Sequence, residues 1–221
     1  MKERVRTMET ENGTVEIEAK ALRALAIVAP KRDPRKVLAH AIHVREDRAE
    51  ATDGHVLLTI DHKENATLGE KYGVNSFIVD ADGLKSDVAK ATKRKTVRLA
   101  VRSAGGNIDY ASVTSEDDAR TAEVETIEGR YPNIDSIMPK NKPEYRIAFD
   151  PNLMLTLCKA VIEATKGDVD YSNDRPHKPA MVFEIRENSA NEPVMITSAP
   201  GATTKFVGAV MPMRLKELQE N

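Results

Sequence analysis

Three times along the chain a short strand of alternating polar and apolar residues runs into an amphipathic helix and then into several strands. That order leaves few architectures open. The first repeat opens at Thr14-Val-Glu-Ile-Glu-Ala19, whose alternation predicts a half-buried strand, followed by a helix from Ala19 to Ala29 that Pro30 and Pro34 end. Strands are expected at Val37–Glu46 and Arg48–Ile60, the second interrupted by Asp53-Gly54, a pair suited to a turn or bulge. The second repeat takes a strand at Ser76–Val79, a helix at Asp82–Lys93 and strands at Thr96–Arg102, Asn107–Thr114 and Thr121–Ile127. The third starts with a strand at Tyr145–Phe149 and a helix from Pro151 to Lys166, with Asp150 as N-cap and Gly167 as stop. Its strands are Ala180–Arg186, Val194–Ser198 and Lys205–Met211, and 167–179 reads as a long loop.

Helical wheels give each helix one apolar stripe and an opposite cationic side. Leu22, Leu25, Ala26 and Ala29 are expected to point in, with Lys20 and Arg23 out; Leu84, Val88 and Ala91 in, with Lys85, Lys90 and Lys93 out. In the third helix Leu153, Leu157, Ala160, Val161 and Ala164 are expected inside, with Lys159 and Lys166 outside. A single row of lysines is an ordinary solvated helix face. Three rows held on one surface would offer phosphates a sequence-blind contact, so these seven cations are the candidate residues facing double-stranded DNA. The formal net charge of −2 gives no global attraction to nucleic acid, so such a contact must be local.

Catalytic and metal-binding chemistry finds little to stand on. Asp53 and His55 could be read as an acid–base pair, but no third group sits at a recognisable spacing, and a structural turn is the reading adopted. His40 and His43 fall on opposite faces of a strand. No Gly-rich phosphate loop or cysteine pair occurs, and the lone Cys158 is expected as a buried thiol on the third helix. The expectation is therefore a non-enzyme with no metal and no cofactor. Apolar runs are too short to cross a bilayer and no leader is evident, which gives the expectation of a cytoplasmic protein without membrane contact.

Three segments carry a resemblance to a known family. Ala51-Thr-Asp-Gly-His-Val-Leu57, Glu128-Gly-Arg-Tyr-Pro-Asn-Ile134 with Met138-Pro139, and Val210-Met-Pro-Met-Arg-Leu215 resemble signatures of the bacterial DNA polymerase III β subunit, the sliding clamp, in that family's order. The resemblance implies an α+β DNA-clamp fold, with antiparallel sheets outside and helices on an inner face. It implies an extension at 1–13, a clamp-like domain of two repeats at 14–140, half of another at 141–215 and a tail at 216–221, read as frayed.

By the same resemblance the function is a processivity factor that tethers DNA polymerase and the clamp loader through short linear motifs. One wall of the peptide pocket would be Arg35, Leu38, Thr52, Gly54, His55, Leu57 and Pro139, and the other Met211, Pro212, Met213, Arg214 and Leu215. Leu and Met suit an adaptable apolar hollow. Val56 departs from the pattern, standing where many family members carry a cation. Clamps of this family close a ring from twelve repeats, so three per chain implies a homo-oligomer of four. The alternative is a module of clamp descent that captures such peptides without encircling DNA.

Overall fold

The structure, a computed structural model, describes residues 13–29, 40–62, 68, 75–84, 96–104, 107–115, 121–141, 143, 146–168, 180–185 and 192–213. The chain divides into two compact units, Met1–Ile137 and Met138–Asn221.

In the first unit, β1 (Gly13–Glu18) leads without a break into α1 (Ala19–Val28). Val15 and Ile17 face the core while Glu16 and Glu18 face solvent, as the alternation requires. Helix α1 stops because Ala29 precedes Pro30, and the ring of a proline disfavours helical backbone in the residue before it. Ala29 accordingly turns extended, at ψ 117°. Strands β2 (Ala41–Arg45), β3 (Arg48–Thr52), β4 (Leu57–Asp61) and β5 (Ser76–Asp80) follow, then β6 (Thr96–Ala104), β7 (Asn107–Ser115) and β8 (Thr121–Val124). A helix begins at 81 directly after β5, and its course beyond 84 lies outside the described residues.

All the strand pairings are antiparallel, and the two four-stranded sheets run β1-β6-β7-β8 and β4-β3-β2-β5. Their order shows an exchange. The strand preceding the first helix pairs with β6 of the second repeat, and β5, preceding the second helix, pairs with β2 of the first. Each repeat thus completes the other's sheet, and neither could bury its apolar face alone. The shared core holds Val15, Ile17, Leu22, Leu25, Ile42, Val44, Val97 and Leu99. Each fully buried leucine there contributes about 2 kcal/mol.

The second unit contains α2 (Pro151–Ala164) and one antiparallel sheet in the order β11-β10-β9, from β9 (Met181–Glu184), β10 (Val194–Ser198) and β11 (Val207–Val210). Asp150 caps α2 by accepting the Asn152 N–H at 2.7 Å, and Pro151 occupies the first turn, where its missing N–H has no cost. Gly167, at φ 86°, follows the helix in the left-handed region.

Three expectations are corrected here. Residues 146–150 form no strand: Ala148 makes an isolated bridge to Met213, and no second neighbour pairs with this segment among the described residues. Helix α2 buries less than its wheel predicts. Val161 is its one buried residue and Leu157 is partly covered, while Leu153, Ala160 and Ala164 are exposed, because one three-stranded sheet covers only one side of the helix. Cys158, expected as a buried thiol, is only half-buried on this partly covered helix.

Candidate functional site

The β3–β4 hairpin holds four of the expected pocket residues, and side chains close its tip. Asp53 Oδ1 accepts the N–H groups of His55 at 2.8 Å and Val56 at 2.7 Å, while the Thr52 hydroxyl donates to the Val56 carbonyl at 2.7 Å and accepts the Gly54 N–H at 3.1 Å. Gly54 sits at φ 92°, where a side chain is strained. The N–H groups of Val56 and His55 hold the Asp53 carboxyl below the usual carboxylate range. A carboxylate so occupied shapes a turn and is poorly placed as a base toward His55. Gly54, His55 and Val56 are thereby presented to solvent, with Thr52 and Leu57 half-covered beneath them.

Pro139 and Met211–Met213 belong to the second unit. All four are accessible to some degree, Met211 and Met213 by about half. The Met213 N–H donates to the Ala148 carbonyl at 2.7 Å, which fixes the backbone of this segment. Of the first expected wall, Thr52, Gly54, His55 and Leu57 thus fall in the first unit and Pro139 in the second, with Met211–Met213. Arg35, Leu38, Arg214 and Leu215 lie outside the described residues.

Of the candidate DNA-facing cations, Lys20 is exposed and paired with Glu18 at 2.6 Å, Lys166 is exposed and paired with Glu163 at 3.3 Å, and Lys159 is exposed. Arg23 departs from the expected outward position: it is half-buried, and its Nη1 is shielded from solvent. Lys85, Lys90 and Lys93 lie outside the described residues.

A polar network missed by periodicity sits on the β2–β3 face. Glu50, 1% exposed, accepts from His43 Nδ1 at 2.7 Å and from Arg48 Nε at 2.9 Å, and Arg48 and Arg45 both reach Asp135 within the 3₁₀ turn Ile134–Ser136. Tyr131 stacks on His43 with centroids 4.8 Å apart and planes at 26°. Burial pushes its phenol up to about 12, so it stays neutral at physiological pH. Hydrogen bonding to Glu50 raises the Arg48 guanidinium further above its already high value. A cleft of about 610 Å³ opens here, lined by His43, Phe77, Ile78, Ile127, Arg130 and Tyr131 among others. Tyr131 belongs to the Gly-Arg-Tyr-Pro segment already singled out, but its stacking partner lies 88 positions earlier, beyond any spacing rule. Among the described residues, no three His, Cys, Asp or Glu side chains converge as metal ligands, and no helix is long and apolar enough to cross a membrane.

Neither protein-family models nor curated proteins match this chain. Solved structures do. A DNA polymerase III beta subunit from Eubacterium rectale superposes with a TM-score of 0.59 at 13% identity, over 92% of this chain and 51% of that one. The sliding clamp of Bacillus subtilis gives 0.58 at 12% identity, over 93% and 50%. The sliding clamp of Caulobacter crescentus gives 0.59 at 15% identity, over 93% and 52%. The chain spans about half the length of each. Repeats that exchange their first strands, two four-stranded antiparallel sheets and this likeness over nearly the whole chain lead to one assignment: the chain has the α+β fold of the bacterial DNA polymerase III β sliding clamps, over about half their length.

Proposed function

We propose that the chain is a non-enzymatic, clamp-like tether that holds DNA polymerase and other DNA-acting proteins near duplex DNA through short linear motifs. The observation that carries this reading is the clamp fold itself, matched over more than nine-tenths of the chain. The hairpin tip at Thr52–Leu57 and the Met211-Pro-Met213 segment support it, since both expose residues suited to gripping an apolar anchor. Partners would be double-stranded DNA, contacted at phosphates, and the polymerase and clamp loader. With three repeats per chain, a ring of twelve needs four copies.

The test is retention on DNA. Protein loaded on closed circular plasmid should stay bound through gel filtration and be lost when the plasmid is linearised. Equal loss from both forms would remove encirclement.

One observation favours the second reading, a peptide-capturing module that does not encircle DNA. Two of the expected DNA-facing lysines are paired with glutamates and Arg23 is half-buried, which thins the cationic stripe. Exposed pairs of this kind are weak, each about 0–1 kcal/mol, so phosphate could displace them. Peptide binding without retention on circular DNA would select this reading.

A further inference from the structure

The two repeats of the first unit show what a single repeat of this fold requires. The strand before each helix adds to the other repeat's sheet, β1 along β6 and β5 along β2. Flanked in this way, the first strand after the helix buries its inner face completely: Ile42 and Val44 on β2, and Val97 and Leu99 on β6, are all 0% exposed.

The second unit has one repeat and both halves of an unmade exchange. Strand β9 is the equivalent of β2 and β6, yet among the described residues it has a single neighbour, β10. Phe183 lies on the core face of β9, opposite the fully buried Ile196, and is nevertheless 38% exposed. Segment 146–150 is the equivalent of β5. In the first unit, Ile78 O and Asp80 N bond to residues 125–127 on one side of β5, which leaves its other side for β2. In the second unit the Ala148 carbonyl bonds to Met213 in the same manner, which turns the main-chain groups of Ile147 and Phe149 the other way.

The open side of β9 matches. Ala199 N–H bonds to Ala180 O, so by antiparallel alternation Val182 faces β10, while the N–H and C=O groups of Met181 and Phe183 face outward. Helix α2 agrees: Leu153, third in its helix, is 51% exposed, whereas Ala21, third in α1, is 7% exposed.

We propose that the second unit is completed by the second unit of another copy of this chain, each laying residues 146–150 antiparallel along β9 of the other. Phe149 then faces Met181, Ala148 faces Val182, and Ile147 covers Phe183. The exchange is reciprocal, so the same patch serves both copies and the contact closes at two chains. It also removes an apolar open edge of the kind that otherwise invites aggregation. The occupant is a second copy because the complement required is a strand–helix–sheet repeat with its own free first strand and free edge, and this unit is such a repeat. The inference rests on the fold and not on the tethering role.

Two measurements on the full chain decide it. Light scattering over a concentration series should give a mass of two chains or of four; a mass of one chain throughout, or of three, overturns the proposal. A variant with Ala148→Cys, Val182→Cys and Cys158→Ser should, once oxidised, run as a two-chain species that reverts on reduction, since opposite residues whose main-chain groups point apart suit a disulfide. A cross-link formed only within one chain overturns it. A cross-linked dimer that is not retained on circular DNA keeps the exchange and removes the tether, and retention on DNA without the cross-link does the reverse.

Discussion

The carboxylate of Glu50, buried between strands, accepts the ring nitrogen of His43 at 2.7 Å from the neighbouring strand. The two residues are cross-strand partners in the β2–β3 register, so the pair ties the hairpin together. Arg48 binds the other carboxylate oxygen at 2.9 Å.

This arrangement predicts acid lability of the first unit. Burial works to raise the Glu50 carboxyl, but the hydrogen bonds from His43 and Arg48 outweigh it and hold it below its ordinary value of 4.5. A carboxyl depressed in the folded state contributes stability that is fully present above the unfolded value and is lost as pH falls through the folded one. Urea midpoints should therefore drop as pH falls below about 4.5 in the native protein. Glu50→Ala should flatten that part of the profile and cost about 3 kcal/mol at neutral pH, the lower end for breaking a buried pair, because Arg48 still reaches solvent. A variant with the native acid profile would exclude Glu50 as its source.

At the β3–β4 tip, Gly54→Ala should cost about 1 kcal/mol, because alanine resists the left-handed backbone that the turn demands. Asp53→Ala should lower the melting temperature by freeing two N–H groups, and Asp53→Asn should recover most of the loss. Thermal melts of the three variants test this. Equal stability of all three would mean that the side-chain closure does not hold the turn.

For the peptide pocket, Met213→Ala combined with Leu215→Ala should weaken binding of a Gln-Leu-x-Leu-Phe peptide at least tenfold, about 1.4 kcal/mol, with the melting temperature little changed. Met213 is 46% exposed, so its truncation leaves no buried void. Fluorescence titration with labelled peptide reads the change. Undiminished affinity would remove Met213 and Leu215 from the pocket.

Association with DNA should depend on the three lysines of the second repeat expected to face it, Lys85, Lys90 and Lys93. Replacing Lys85, Lys90 and Lys93 by Ala should reduce the slope of log affinity against log salt by about 0.9 for each phosphate that is no longer neutralised. An unchanged slope would place these residues away from DNA.

Much of this was legible in the sequence, and for a local reason. The alternation of Val15 and Ile17, the stripe of Leu22 and Leu25, the Asp150-Pro151 cap and the Asp53-Gly54 turn each depend on atoms within a few residues of one another, so spacing alone predicts them. The wheel of α2 misled because a helical period reports which side is apolar and not how much of that side finds a cover: Leu153 and Ala160 obey the period and remain exposed. The Tyr131–His43–Glu50 assembly and the exchange of β1 and β5 between repeats join residues dozens of positions apart. The sequence by itself thus determined most of the segments that become strands, helices and turns, the strand expected over 145–149 being the exception among the described residues. Only the tertiary structure decided which edges pair, because any antiparallel edge offers the same backbone groups, and the choice among edges is made by the packing of side chains brought together from distant parts of the chain.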